Sequence, residues 1–476
     1  MPKIFNDLIL RLRNLAPYQR NRIIFGAIVG LILLFIILGI FGVLGRKEVD
    51  QGPPQKEGTL VFWSIFDEED VFKDIINKYR AKNPQVKIVY RQKDYSSYRE
   101  FVAELLSAKE GPDIYAIHHT WLPLEKERLV SMNEVVIDET TGKGIDAPSI
   151  ISKYPDIFRF DFVVEEVDDS GNSQPVIYAL PLAIDTLALY YNEDYFNSNG
   201  IVFAPGTWEE FVEAVKKLRR IDANNNITLA GVAAGSAFND KVNRVTDILS
   251  LLMIQSGAEM NDKFGNVTFD RGVEAQNGLT YFPAKEAMTF YTSFSNPNSL
   301  NYTWPTNDRY SIDAFAQGYA AMMFNYSYHR DTIREKNPSL NFAIAPMPQP
   351  QESTKRINYA SYWGYAVPKI SDEPKLAWDF INFISQEENA KIYLDESNKP
   401  TALKSLISYQ QKDPELAVFA NQILSAKSWI QPDFFEVQRI LERTINDVLT
   451  GNKDIESALD NGADEINFLP RSFEDL

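Results

Sequence analysis

Two short clusters of the 476-residue chain carry side chains suited to ligand contact. Trp63, Phe66 and Asp67 fall at or just past the end of the apolar run TLVFW (59–63). His118, His119, Thr120 and Trp121 follow the run DIYAI (113–117). Aromatic rings stack on the C–H faces of sugars, and a carboxylate accepts two hydroxyl bonds at once. Asp67 has a competing role, as the cap of a helix that follows it. Glycoside hydrolysis is the enzymatic alternative, a reaction that needs two carboxylates at a defined separation. No G-x-S-x-G, H-E-x-x-H or phosphate-cradling glycine loop occurs, so an enzyme is not the expected reading.

The chain has three His and no Cys. That excludes disulfides, thiolate nucleophiles and Cys-ligated zinc. Adjacent strand residues point to opposite faces, so His118 and His119 do not readily chelate one ion. DANNN (222–226) starts like a calcium loop but lacks the Gly and Glu that such a loop requires, and reads as a turn. No metal or cofactor is expected.

The elements that hold these residues alternate. TLVFW is a strand, Asp67–Lys82 an amphipathic helix, VKIVY (86–90) a strand, Tyr98–Ala108 a helix and DIYAI a strand. Such alternation makes a parallel sheet covered by helices, with ligands beyond the carboxyl ends of the strands. Further on, FDFVVEEV and PVIYALPL flank a turn-forming DDSGNSQ, a hairpin. ALYYN (188–192) is a strand, and Thr207 with Glu210 forms a capping box before a helix. ITLAGVAAG (227–235) reads as a strand, Val242–Ser256 as a helix, and Ala275–Ser293 as a helix that Pro283 interrupts. Ser311–Gln317 is a helix, AAMMFN (320–325) a strand, and the C-terminus from Glu436 is helical.

The formal net charge is −17, against general nucleic-acid binding. Residues 1–47 carry +6, which leaves −23 for the remainder. Ile23–Gly45 is an uncharged apolar run of 23 residues, long enough to span a bilayer as a helix. It is longer than a signal-peptide core and ends without a small-x-small cleavage site. Five basic residues precede it and two follow, which puts residues 1–22 in the cytoplasm and the bulk of the chain outside. Residues 46–58, with a Pro pair, read as a tether.

Blocks in order along residues 59–476 resemble the extracellular solute-binding proteins of ABC importers, maltose-binding protein type. They are IYALPLAIDTLALYYNEDYFNSNGI, GTWEEFVEAVKKL, AFAQGYAAMMFNYSYH, KLAWDFINFISQEENAKIY and NKPTAL. The resemblance implies an α/β, periplasmic-binding-protein-like two-lobed clamp (type II), here preceded by one transmembrane helix. Lobe I is then 59–183 plus 366–405, and lobe II 184–365 plus 406–476. Crossings fall near Pro181–Thr186, Ser361–Ala366 and 405–408. Asp67 and Asp185 stand where relatives carry sugar-binding acids, and Tyr328 where they carry a stacking Trp. Tyr362 and Trp363 lie at a crossing, and Phe434 precedes a helix that lines the cleft in relatives. Relatives carry Lys beside the first acid; this chain has Glu68. There is no lipobox Cys, so the apolar run takes over the tethering.

The expected function is capture of a small solute, a sugar or oligosaccharide, by hinge closure and its delivery to permease subunits. The expected protein is a monomer in the cell membrane with its C-terminal part extracellular or periplasmic. An anchored surface enzyme acting on polysaccharide and a ligand sensor for a signalling partner are the alternatives.

Overall fold

Apolar alternation at 57–118 builds the first half of a sheet, as expected. The computed structural model describes residues 56–471, apart from 109, 137–143, 168–170, 225, 276–277 and 306–308, together with positions 16, 18, 22, 26 and 30. The chain divides into Met1–Lys56 and Glu57–Leu476. The apolar run 23–45 lies, Gly26 and Gly30 apart, outside the described residues, as do most of 1–22 and of the tether. Among the described residues no helix is long and apolar enough to cross a membrane.

The larger sheet runs in the order Gln85–Gln92, Glu57–Ser64, Ile114–His118, Trp363–Pro368, Leu129–Val130. Its first three strands are parallel, and Trp363–Pro368 returns antiparallel against Ile114–His118. Its first strand begins at Glu57, inside the stretch read as tether. A smaller antiparallel sheet has Ala188–Asn192 between Met322–Asn325 and Phe342–Ala345.

Each sheet has its own hydrophobic core. One draws on Leu60 to Ile184, and again on Ala360 to Ile407. The other draws on Leu187 to Tyr359 and on Val437 to Ile466. The chain passes between them at 184–187 and at 359–360. There Asp185–Thr186 pairs antiparallel with Asn358–Ser361, which pairs in turn with Ala426–Lys427. The third passage is drawn out: Ile423 and Phe434 pack in the first core, Phe419 and Trp429 in the second.

Local chemistry explains most boundaries. Thr207 and Glu210 form the reciprocal capping box that starts Trp208–Leu218. Three expectations are corrected. Only Ile227–Leu229 of ITLAGVAAG is strand. Its small residues allow close approach instead: a Cβ on Gly231 would lie 2.4 Å from the Val215 carbonyl oxygen. Pro283 does not break a helix but opens one, Pro283–Ser293, since the first turn needs no N–H there. Val273–Glu274 and Thr280–Tyr281 before it are paired strands. The third helix in question begins at Val245, not Val242, and this shift matters for the site.

Candidate functional site

Where the two cores meet lies a cavity of about 450 Å³. Its walls come from strand ends on the first lobe, from the crossings, and from loops of the second lobe. That volume is in the range of small-molecule sites.

The first strand ends at Ser64, and the next helix begins at Glu69. The turn between them presents Phe66, 53% exposed, to the cavity and buries Asp67. The N-cap is Glu68 and makes no side-chain cap, so Asp67 is not spent on capping. Its carboxylate accepts from Lys399 Nζ at 2.5 Å and from the Tyr393 hydroxyl at 3.0 Å. The Tyr90 hydroxyl donates to its carbonyl. Lys399 therefore supplies the cation that Glu68 does not.

At the first crossing Asp185 lines the cavity. Oδ1 accepts from the Thr186 N–H at 2.8 Å; Oδ2 accepts from the Ser327 N–H at 2.9 Å and its hydroxyl at 2.6 Å. Burial raises the Asp185 pKa to about 6, against the pull of these bonds and of Arg330. Asp185 thus fixes the loop that carries Tyr328. With both acids bonded inside the protein, neither has the free proton-transfer role that hydrolysis requires.

The second lobe contributes Asn239, Asn243, Arg244, Tyr328 and His329. Arg244 sits in left-handed backbone, φ 60° and ψ 35°, just before the helix Val245–Gln255. A non-glycine residue there stores strain and marks a place where geometry is dictated by the surroundings. Its Nε and Nη2 donate to the Tyr328 hydroxyl at 3.1 and 3.0 Å. Tyr328 is 43% exposed and stacks on Tyr326, with ring centroids 6.0 Å apart at 9°. Burial and then Arg244 lower the His329 pKa to about 3, so the ring is neutral at physiological pH.

Of the residues singled out from sequence, Phe66, Asp67, Asp185, Tyr328, Tyr362 and Trp363 come together in this cavity. Trp63, His119, Thr120, Trp121 and Phe434 are not among its lining residues. Trp63 stacks on Phe101 at 5.6 Å, with Lys93 Nζ 3.9 Å above the ring. Trp121 meets Trp363 edge-on at 5.0 Å, so it backs the wall. Thr120 Oγ1 is 2.8 Å from His118 Nδ1, and the Phe434 ring lies 4.8 Å from the His118 ring. Burial lowers the His118 pKa well below the usual range, so it is neutral. The His119 ring stacks on Tyr362 at 4.9 Å and 3°. Its Nδ1 is 3.2 Å from Asp161 Oδ2, without the alignment of a hydrogen bond. Tyr362 donates to that same oxygen at 2.7 Å. These residues position the walls from behind.

Tyr95, Asn239, Asn243, Arg244, Lys399 and Gln438 line the cavity without having been singled out. Tyr95 stands 5.5 Å from Phe66, ring to ring. A further contact ties the lobes beside the cleft: Arg99 binds Asp433 bidentately at 2.8 and 3.0 Å. Asp433 also caps the helix Phe434–Leu449. Among the described residues no three His, Asp or Glu are placed to hold a metal.

Two α/β lobes joined by adjacent crossing strands, with a walled cleft between them, define a solute-binding protein. The family described as bacterial extracellular solute-binding protein matches residues 66–391, and the chain belongs to that family. It is a binding protein, not an enzyme. The galactooligosaccharide-binding protein of Bacillus subtilis is 22% identical over 433 residues, covering 88% of this chain and 91% of that one. Among solved structures, the maltose-binding periplasmic protein MalE from Listeria monocytogenes in complex with maltose superposes with a TM-score of 0.65 at 18% identity. That match covers 86% of this chain and 97% of the other. The cyclic alpha-maltosyl-1,6-maltose binding protein from Arthrobacter globiformis gives 0.66 at 16% identity, covering 87% and 98%.

Proposed function

We propose that this protein is a membrane-anchored extracellular receptor that captures a carbohydrate by lobe closure and hands it to an ABC-type permease. The observation that carries the ligand class is the cavity wall. Phe66, Tyr95 and Trp363 stand on one side and Tyr328 on the other. Phe66, Tyr95 and Tyr328 are 53%, 39% and 43% exposed, and all three line the cavity, so each keeps open ring surface where a ligand would lie. Between them stand planar polar groups, the amides of Asn239, Asn243 and Gln438 and the Arg244 guanidinium. Rings that stack on C–H faces, together with amides that pair with hydroxyls, suit a sugar. Relatives and structural neighbours named for oligosaccharides and maltose support the same class. Contacts from both lobes exist together only in the closed form, so ligand shifts the population toward closure.

Tyr328→Ala tests the site. Calorimetric titration with malto- and galacto-oligosaccharides is expected to show binding weakened by about 1–3 kcal/mol, the scale of one lost buried aromatic contact. The unfolding midpoint without ligand should hold, because the ring is not in the core. Unchanged affinity removes Tyr328 from the site.

The anchor and orientation rest on the apolar run 23–45 and its basic flank. Protease added to intact cells should digest the part from Glu57 onward while the chain fractionates with membranes. A mature form beginning near residue 46 and released from cells would show a cleaved signal instead. We read the receptor as a monomer with no nucleic-acid partner.

A further inference from the structure

Among the described residues, two that are not glycine have positive φ, Arg244 at 60° and Asn398 at 54°. Asn398 follows the helix Glu387–Ser397, a place where Asn adopts left-handed backbone readily. Arg244 instead precedes a helix, Val245–Gln255, and its long side chain offers no local hydrogen bond that favours this conformation. The backbone is pinned on both sides of it. The Asn243 N–H donates to Ser311 Oγ at 3.0 Å and the Asn243 Nδ2 to the Tyr310 hydroxyl at 2.6 Å. The Val245 N–H donates to Asn239 Oδ1 at 3.2 Å. A strained residue persists where its surroundings over-determine it, and these bonds do so.

The strained backbone sets the aim of the side chain. The guanidinium lies over the Tyr326 ring, 5.3 Å from its centroid, with Nη1 3.7 Å from Asp247 Oδ2. The Tyr326 hydroxyl donates to that same oxygen at 2.8 Å. From this seat Nε and Nη2 reach the Tyr328 hydroxyl together. A tyrosine hydroxyl accepts at its oxygen and donates one proton. Both Arg244 donors fall on the oxygen, so the proton points away from Arg244. Among the described residues no protein acceptor takes that proton, and Tyr328 lines the cleft. The hydroxyl thus faces the cleft as a donor, on a ring held at its face by Tyr326 and at its tip by Arg244.

We propose that Arg244 is a positioning residue: it fixes the Tyr328 ring and commits the Tyr328 hydroxyl to donating, so that the ligand must set an acceptor oxygen opposite it. This rests on the carbohydrate reading of the cleft. Ring, glycosidic and hydroxyl oxygens of a saccharide all qualify. Holding the ring in place before ligand arrives removes an ordering cost from binding.

The test is a double-mutant cycle, read by calorimetric titration of the full chain with malto- and galacto-oligosaccharides and by thermal unfolding without ligand. The cycle compares wild type, Tyr328→Phe, Arg244→Gly and the double variant Tyr328→Phe/Arg244→Gly. Tyr328→Phe keeps the ring and removes the donor, and about a tenfold loss of affinity is expected. Arg244→Gly should cost a similar factor. The double variant should lose no more than either single one, because the two residues act as one unit. Arg244→Ala should bind like Arg244→Gly yet unfold about 2 °C lower, since glycine takes left-handed backbone without strain. Affinity that moves apart from stability in this way is not what a merely structural residue gives. Arg244→Lys keeps a charge beside Asp247 and runs the same cycle if the Gly variant fails to fold. Losses that multiply to about a hundredfold in the double variant make Arg244 a ligand contact in its own right and overturn the positioning role. Wild-type affinity in Tyr328→Phe or in the Arg244 variant overturns it as well, and an Ala variant as stable as the Gly variant overturns its strained-backbone basis. Absence of wild-type binding to every saccharide of both series overturns the carbohydrate reading, and this role with it.

Discussion

Lys399→Met is expected to lower the folding stability by about 3 kcal/mol, a large share of the ~5–15 kcal/mol that holds a typical protein folded. The reason is the company Lys399 keeps. Asp67 is buried, and Lys399 Nζ contacts its Oδ1 at 2.5 Å. A carboxylate out of water needs a compensating charge, and removing one partner of a buried pair leaves the other uncompensated. After the substitution only the Tyr393 hydroxyl still donates to the Asp67 carboxylate. Met preserves the apolar stem, so lost packing is a minor part of the effect. The measurement is chemical unfolding of wild type, Lys399→Met and the double variant Asp67→Asn/Lys399→Met. The double variant should recover most of the loss, because it removes the stranded charge. Recovery separates an ion-pair effect from simple disruption of the segment. If Lys399→Met unfolds with wild type, water screens the pair and it holds nothing in place.

That pair also shows what sequence alone could and could not reveal. Asp67 was legible because it follows a clear strand and precedes a clear helix. Its partner was not, since Lys399 lies 332 residues away and only the fold brings the two together. Phe66, Trp363 and Asp185 were legible as strand-end or crossing residues. Trp63 satisfied the same description, yet it faces away from the cavity. Side chains alternate along a strand. Phe62 packs into the core against Phe72 and Phe380, and Trp63 goes to the opposite face under Phe101.

Arg244 was hidden for a different reason. The apolar pattern placed the helix start at Val242, which absorbed Asn243 and Arg244 into a helix. The structure keeps both in the preceding loop, with Arg244 in a conformation that no propensity would assign to Arg. A tertiary contact with Tyr328 and a local ion pair with Asp247, three residues on, hold it there. Strain of this kind clusters at functional sites, which is why local pattern and structure part company at the cleft. Trp121 and Phe434 sit one layer behind the wall, a distinction of a few ångströms that spacing does not encode.

Asp185→Asn is expected to remove one decline in stability between about pH 4 and pH 6. The Asp185 carboxyl is raised by burial from its ordinary 3.8 to about 6 in the folded protein. Below 3.8 it is protonated in both folded and unfolded chains and adds no pH dependence. As pH rises from 3.8 the unfolded chain loses this proton freely, while the folded chain keeps it until about pH 6. The unfolded state then binds fewer protons, so stability falls across that window. A carboxyl moved from 3.8 to about 6 corresponds to roughly 3 kcal/mol of differential stability. The Asn variant does not titrate and lacks this decline. Its side chain can still accept from Ser327, but its NH2 must face the Thr186 N–H, two donors in opposition, at a penalty of about 1–3 kcal/mol. Wild type should therefore exceed Asp185→Asn in stability most clearly near pH 4, with the gap closing toward pH 7. Because other titrating groups are common to both proteins, the difference isolates Asp185. Unfolding free energies measured for both across that range decide it. A gap that stays constant, or widens as pH rises, would mean that the hydrogen bonds from Thr186 and Ser327 outweigh burial and that the crossing carries an ordinary carboxylate.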